Sequence, residues 1–244
     1  LILVKKANTN SAPISMKENA TKPIYNITPF TLLDYPHKSA CILWFAGCNM
    51  RCVYCYNPEI VLGKGQISFD EVLEFLQKRK NLLDAVVFSG GECLIHKNII
   101  TMIEKVKSLG FSVKVDTNGS TPKVVQQLIE KKIVDYFALD FKAPKSQFNA
   151  ITKSDLYHQF QTSLTQIQTS EIPFEVRTTY HSDLLSEKKL TEMIRYLEIK
   201  NYSGNYYIQY FRNNTPTLSP LDYSYNKLDA KQLSTQNISV IIRD

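Results

Sequence analysis

The sequence predicts an α/β protein whose parallel sheet forms a partial (β/α)6 barrel. Short apolar and β-branched runs alternate with helical patterns along most of the 244 residues, which is typical of successive β/α units. About six such units are present, fewer than the eight that close the usual barrel. Polar and glycine-rich segments follow four of the predicted strands, at the edge where parallel α/β sheets bind their ligands.

The elements of these units follow from apolar runs, capping residues and breakers. Ser68 to Glu71 fits a helix capping box, and Thr121-Pro122 places a proline at a first helical position. The predicted strands are 41–45, 85–88, 111–115, 136–139, 174–178 and 206–210. The predicted helices are 68–83, 98–109, 122–132, 154–169 and 186–199.

The length suits one domain with short extensions. We expect a flexible N-terminal arm over 1–23, a catalytic domain over 24–220 and a C-terminal extension over 221–244. The net charge is +6, but the lysines are scattered, so no nucleic-acid partner is expected. No apolar run reaches the ~20 residues that span a bilayer, so no membrane partner is expected. The N-terminus places its apolar residues before its basic ones, the reverse of a secretory signal, which favours a cytoplasmic protein.

The five cysteines are clustered between positions 41 and 93. An odd, clustered set does not resemble a disulfide framework, and a cytoplasmic location would keep these thiols reduced. Clustered thiols in that compartment indicate metal or redox chemistry.

Cys48, Cys52 and Cys55 have C-x3-C-x2-C spacing directly after the first predicted strand. Soft thiolates favour zinc or an iron–sulfur cluster. Electron-transfer clusters commonly use four thiolates, so three would leave one iron open to a small molecule. Structural zinc would need a fourth ligand, for which Cys41, Cys93 and His96 are candidates, although Cys41 fits better as a small core residue.

This loop, with aromatic Tyr54 before its last cysteine, resembles the signature of the radical S-adenosylmethionine (SAM) superfamily. The resemblance extends over about 24–211 and implies a partial barrel of the radical SAM type. It also implies a [4Fe–4S] cluster on Cys48, Cys52 and Cys55, with SAM chelating the fourth iron through its amino and carboxylate groups. In that family, reduction of the cluster cleaves SAM into methionine and a 5′-deoxyadenosyl radical.

Further segments at the strand ends resemble SAM-contacting motifs. Ser89-Gly90-Gly91-Glu92 is similar to the family's segment that contacts the methionine amino group, although Cys93 stands where proline is usual. The segments 116–119 and 140–142 are similar to parts of glycyl-radical activases that bind SAM or a monovalent cation. The implied cofactor-binding residues are Tyr54, Gly90, Gly91, Glu92, Asp116, Asn118, Asp140, Lys142, Arg177 and Gln209. No catalytic residue beyond the cluster and SAM is expected.

Three segments, 27–36, 44–52 and 56–59, look like the activating proteins of anaerobic ribonucleoside-triphosphate reductase, which are related to pyruvate formate-lyase activating enzymes. This resemblance implies an oxidoreductase that abstracts hydrogen from a glycine of that reductase, its glycyl-radical partner. An electron donor such as flavodoxin or ferredoxin is implied as well. The five cysteines leave no room for an inserted ferredoxin-like domain.

Three alternatives stay open. The chain could activate pyruvate formate-lyase instead, or it could be a radical SAM enzyme acting on a small molecule, such as a deazaguanine synthase. A zinc-binding module without enzymatic activity is the alternative from a different class.

Overall fold

One eight-stranded sheet organises the computed structural model, which describes residues 21–225 and 227–243. The strands lie side by side in chain order, β1 pairing antiparallel with β2 and all later neighbours pairing in parallel. Within the described residues no pairing joins β1 to β8, so the barrel is not closed. The strands are β1 Ile24–Thr31, β2 Ala40–Phe45, β3 Ala85–Gly90, β4 Ser112–Thr117, β5 Tyr136–Asp140, β6 Phe174–Tyr180, β7 Gly204–Tyr210 and β8 Ile238–Arg243.

Helices connect most of the parallel strands. The predicted capping box is present, with the Ser68 hydroxyl accepting from Glu71 N–H at 3.3 Å and the Glu71 carboxylate accepting from Ser68 N–H at 2.7 Å. The helices are α1 Pro58–Leu62, α2 Phe69–Gln77, α3 Ile99–Ser108, α4 Pro122–Glu130, α5 Lys145–Thr152, α6 Tyr157–Thr169, α7 Glu187–Ile199 and α8 Ala230–Leu233, with a 3₁₀ turn at Cys93–Ile95.

The predicted α/β fold with an unclosed parallel sheet is confirmed, and all six predicted strands are present. The sheet has two strands beyond those six, because β1 and β8 add one strand at each edge. Neither strand fitted the β/α alternation. Only one of the eight β1 residues is buried, and β8 is preceded by a single turn of helix, α8. The strand β8 lies within the segment expected as a C-terminal extension.

Several helix boundaries also differ from the prediction. The helix expected over 154–169 begins at Tyr157, and α5 precedes it as a separate helix that was not predicted. Thr121 occupies the N-cap position of α4, but its side chain makes no capping hydrogen bond. Pro122, which fixes its own backbone angle at the helix start, is therefore the local signal that begins α4.

The alternation of side chains along β2 separates the core from the barrel interior. Cys41, Leu43 and Phe45 lie in the large core between sheet and helices, which confirms Cys41 as a core residue. Ile42 and Trp44 face the other side, where they pack with Tyr35. The interior of the barrel is therefore apolar at β2 and leaves room for polar groups on the later strands.

The expected arm over 1–23 lies almost wholly outside the described residues. In the described part of the chain, no helix has the length and apolar character required to cross a membrane.

Candidate active site

A cavity of about 500 Å³ lies inside the barrel and opens at the carboxyl ends of the parallel strands. This volume is in the range of small-molecule sites. Twelve of the thirteen side chains predicted for the site line it, namely Cys48, Cys52, Tyr54, Cys55, Gly90, Gly91, Asp116, Asn118, Asp140, Lys142, Arg177 and Gln209. The thirteenth, Glu92, does not line this cavity.

The cysteine loop is held from both sides by backbone hydrogen bonds. Arg51 and Val53 donate their N–H groups to carbonyl oxygens at the end of α5, at 2.8 Å and 2.9 Å. On the other side, Leu218 and Ser219 donate to the carbonyls of Cys55 and Val53. These anchors fix the backbone that carries the three thiols.

Burial raises the pKa of the Cys48 thiol to about 11 and that of Cys52 to about 12. The charge of Cys55 adds to both increases, and that of Cys48 adds to the increase at Cys52. If these cysteines are thiolates, their negative charge has to be balanced by a bound cation. Metal ligation supplies that positive charge. The donor set of three soft sulfurs on one wall, with open space opposite, fits an iron–sulfur cluster that keeps one free position.

The candidate fourth ligands are engaged elsewhere. The Cys93 sulfur donates to the carbonyls of Phe88 at 3.6 Å and Asp116 at 3.5 Å, and a His96 ring nitrogen lies 3.0 Å from the Ala46 carbonyl. Neither Cys93 nor His96 lines the cavity, and Cys41 is in the core. Among the described residues, no group of three or more His, Cys, Asp or Glu side chains is placed to hold a single metal ion.

A chain of charges crosses β4, β5 and β6 at the cavity floor. Asp116 pairs with Lys114 at 3.0 Å and with Arg177 at 3.2 Å. Asp140 pairs with the same Arg177 and with Lys142 at 2.8 Å. Burial alone would raise the pKa of both carboxyls, but Arg177 with Lys114 holds that of Asp116 below its usual value, and Arg177 with Lys142 holds that of Asp140 at about 2.

Both carboxylates therefore stay ionised at neutral pH and fix the three cationic side chains in place. The monovalent cation that the resemblance allows would have to share Asp116 and Asp140 with those cations.

Tyr54 is 4% exposed and lines the cavity. Its hydroxyl oxygen is buried and has no hydrogen-bond partner within the described residues. A buried hydroxyl without a partner is costly, so this atom indicates that the cavity is built to receive a polar ligand.

Gly90 and Gly91 bring the end of β3 against the cysteine loop. A Cβ on Gly90 would lie 2.3 Å from Phe45 N, and one on Gly91 would lie 1.9 Å from the Gly47 carbonyl oxygen. Gly90 also has φ +116°, a region that residues with a side chain rarely adopt. Glycine at both positions is therefore a packing requirement at this wall.

Glu92 differs from the expectation that its carboxylate faces the cavity. It is 2% exposed, and its oxygens accept from Leu94 N–H at 3.1 Å, Thr117 O–H at 2.9 Å and Asn118 N–H at 2.7 Å. Burial raises the pKa of Glu92 to about 7, although these donors oppose the increase. The hydrogen bonds of the carboxylate are thus made within the protein, behind the cavity surface.

Ten further residues line the cavity that were not predicted as metal or cofactor ligands. They are Asp34, Trp44, Met50, Tyr56, Asn57, Val61, Ser89, Thr179, Arg212 and Thr215. Thr179 could have been found, because it stands two residues after Arg177 and so shares its face of β6. Asp34 had no such signal. It is placed by the loop after β1, where its carbonyl accepts from Lys114 Nζ at 2.7 Å.

Comparison with known proteins finds matches to one superfamily. The sequence profile of the Radical SAM superfamily matches residues 42–202, more than half of the chain. A Methanocaldococcus jannaschii protein provisionally named a glycyl-radical enzyme activating enzyme is 29% identical over 182 residues, covering 70% of this chain and 74% of that protein. The pyruvate formate-lyase-activating enzyme of Clostridium pasteurianum is 30% identical over 126 residues, covering 49% of this chain and 52% of that enzyme.

Solved structures share the fold. SuiB of Streptococcus suis bound to its precursor peptide SuiA has a TM-score of 0.65 at 13% identity, covering 83% of this chain and 48% of that chain. The enzyme anSMEcpe with bound AdoMet and a peptide has a TM-score of 0.55 at 19% identity, covering 72% of this chain and 52% of that chain. This chain therefore spans about half the length of each of these two proteins.

Proposed function

This chain belongs to the radical SAM superfamily, and we propose that it activates a glycyl-radical enzyme, namely an anaerobic ribonucleoside-triphosphate reductase. The observation that carries the proposal is the wall formed by Cys48, Cys52 and Cys55, which supplies three thiols to a cavity lined by polar side chains. The similarity to activating enzymes supports the choice of reaction within the superfamily.

Cys48, Cys52 and Cys55 would hold the [4Fe–4S] cluster, and the strand-end residues would hold SAM beside it. When bound, the cluster and SAM supply an electron and a carbon-centred radical that takes hydrogen from glycine. The protein itself supplies binding and orientation, as is usual where a cofactor carries the difficult chemistry.

The charge chain on β4 to β6 suits the methionine end of SAM, which carries an ammonium and a carboxylate. Asp116 and Asp140 offer carboxylates to the ammonium, and Arg177 and Lys142 offer cations to the carboxylate. Because each group is already paired, its position is fixed before the ligand arrives and little reorganisation is needed. Tyr54, with its unpartnered hydroxyl, offers a donor to another polar part of the ligand.

The choice of the reductase as partner rests on the segments 27–36, 44–52 and 56–59, which together resemble the reductase activators. The first of these segments forms part of β1 and the loop after it, and Asp34 from that loop lines the cavity. A segment that distinguishes partner classes is expected to lie where the substrate glycine enters. The contact between this loop and the cavity supports the proposal. We expect flavodoxin or ferredoxin to supply the electron.

Electron paramagnetic resonance tests the proposal. The anaerobically reconstituted, reduced chain is mixed with SAM and the purified reductase, and the sample is frozen. A glycyl-radical doublet is expected with the wild type and should be absent with Cys52→Ala. A reductase whose radical-bearing glycine is replaced by alanine provides the second control.

The same experiment separates the other candidates. Pyruvate formate-lyase activation is the second candidate, because an activating enzyme of that kind is among the similar proteins. A doublet on pyruvate formate-lyase and none on the reductase would select it. SAM cleavage without a doublet on either protein would favour a small-molecule substrate. A colourless chain with stoichiometric zinc would contradict the enzymatic proposal altogether.

A further inference from the structure

The loop after β4 places an amide beside one of the three cysteine sulfurs. Asn118 Nδ2 lies 3.9 Å from Cys48 Sγ and also donates to the Asn49 side-chain oxygen at 3.1 Å. Sulfur is a weak acceptor as a thiol, but a thiolate accepts a charge-assisted bond that is shorter and stronger. The contact to Cys48 is therefore expected to tighten when the sulfur ligates iron.

Asn118 is held in this position by its side chain and its backbone N–H. It is 4% exposed, its side-chain oxygen accepts from Ser120 N–H at 2.9 Å, and its backbone N–H donates to Glu92 at 2.7 Å. Glu92 also accepts from Thr117 O–H and Leu94 N–H, so its carboxylate ties the end of β3 to the end of β4. Glu92 therefore fixes the backbone from which the Asn118 amide projects.

The three sulfurs have different surroundings. Cys48 Sγ also accepts from the Met50 backbone N–H at 3.4 Å. Within the described residues no hydrogen bond reaches the sulfur of Cys52 or Cys55. The donors are thus concentrated on Cys48.

We propose that Asn118 donates a hydrogen bond to the cluster-bound sulfur of Cys48 and thereby raises the reduction potential of the cluster. Glu92 is then a positioning residue for Asn118 and does not bind SAM. Reduction adds negative charge that spreads onto the sulfurs, so an N–H donor stabilises the reduced form more than the oxidised form. The inference rests on the cluster assignment made under the proposed function. It assigns a role to Asn118, which lines the cavity, and to Glu92, which lies behind it.

The test is a redox titration of the reconstituted holoenzyme without SAM or partner, followed by electron paramagnetic resonance. Asn118→Ala removes the donor, and its midpoint potential is expected to lie below that of the wild type. Asn118→Asp keeps an acceptor for Ser120 N–H but places an anion near the sulfur, so its potential should be lower still. Asn213→Ala is the matched control, since among the described residues the Asn213 side chain bonds only to Ser224 in another loop, and its potential should equal that of the wild type.

The role of Glu92 is tested by a double-mutant cycle. The shift caused by Asn118→Ala is measured in the wild type and again in Glu92→Gln, so any direct effect of the Glu92 charge cancels. A smaller shift in the Glu92→Gln background is expected, because the amide is then no longer held at the sulfur. Thr117→Val, which removes a single donor to Glu92, serves in place of Glu92→Gln if that variant does not fold.

An Asn118→Ala potential equal to that of the wild type, in a protein with full iron content, would overturn the inference while leaving the proposed function intact. Equal Asn118→Ala shifts in both backgrounds would overturn the positioning role of Glu92. A wild-type chain that binds no iron would overturn the cluster assignment, and this inference with it.

Discussion

Gly91→Ala should displace the Cys48 end of the cysteine loop. The added Cβ would lie 1.9 Å from the Gly47 carbonyl oxygen and 3.2 Å from the Cys48 Cβ. Real contacts of this kind begin near 3.0 Å, so the two backbone segments would have to separate by 1.1 Å, the difference between those distances. They cannot separate freely, because the same Gly47 oxygen accepts from Glu92 N–H at 3.0 Å.

A displacement of ~1 Å at a reacting centre can reduce the rate on the order of 10²-fold. We therefore expect Gly91→Ala to form 5′-deoxyadenosine about a hundredfold more slowly than the wild type and to bind less iron. The assay is anaerobic reconstitution, iron analysis and chromatographic measurement of 5′-deoxyadenosine in the presence of SAM and a reductant.

Gly110→Ala is the matched control for this prediction. A Cβ there would meet no atom within 4 Å, but the backbone has φ +96° at the end of α3. We expect a loss of roughly 1–2 kcal/mol in stability from the left-handed backbone, with iron content and rate unchanged. Wild-type iron content and rate in Gly91→Ala would refute the close packing of β3 on the cysteine loop.

Three further substitutions test the site. Cys52→Ala should abolish 5′-deoxyadenosine formation while circular dichroism shows an intact fold, and any retained product would contradict its assignment as a ligand. Cys93→Ala should leave the iron content unchanged, because its sulfur donates to the carbonyl groups of Phe88 and Asp116, and a loss of iron would mean that Cys93 is a ligand. Asp140→Asn should lower the unfolding temperature by roughly 6–12 °C, since it removes one partner of a buried ion-pair network, worth about 3 kcal/mol. The Asp140 pKa lies at about 2, below its ordinary 3.8, because Arg177 and Lys142 outweigh burial; its stabilising contribution is therefore present above pH 3.8 and is lost as the pH falls towards 2. Thermal scans between pH 2 and 5 should show a larger acid-induced loss in the wild type than in Asp140→Asn, and parallel curves would contradict this.

Strands β2 to β7 were predictable because most of them are short apolar runs and the connections between them show helical patterns. Runs such as 85–88 are buried on both faces, so their sequence is continuous and apolar, and the structure makes them central strands. The edge strands lacked this signal. In β1 only Ile24 is buried, and the strand pairs antiparallel, so nothing in the β/α pattern required it.

The site was predictable to the extent that it follows strand ends. Parallel strands deliver the residues after their carboxyl ends to one edge, so residues such as Asp116, Asp140 and Arg177 meet there whatever the details of packing. Side-chain direction was less predictable. Glu92 follows a glycine pair at a strand end, yet three donors from neighbouring backbone and side chains draw its carboxylate into the wall.

Asp34 illustrates a second limit. It belongs to a loop that follows β1 and precedes the first parallel strand, so no rule about strand ends places it in the cavity. Its carbonyl accepts a long-range hydrogen bond from Lys114, which is 80 residues away. Contacts of this kind arise from tertiary packing and leave no local pattern in the sequence.

In the proposed site, three thiolates hold a cluster whose remaining iron is open to SAM. Electron paramagnetic resonance of the reduced, reconstituted chain before and after addition of SAM tests it most directly. We expect about four irons per chain and a cluster signal whose g-values change when SAM binds. An iron-loaded protein whose signal is the same with and without saturating SAM would contradict it.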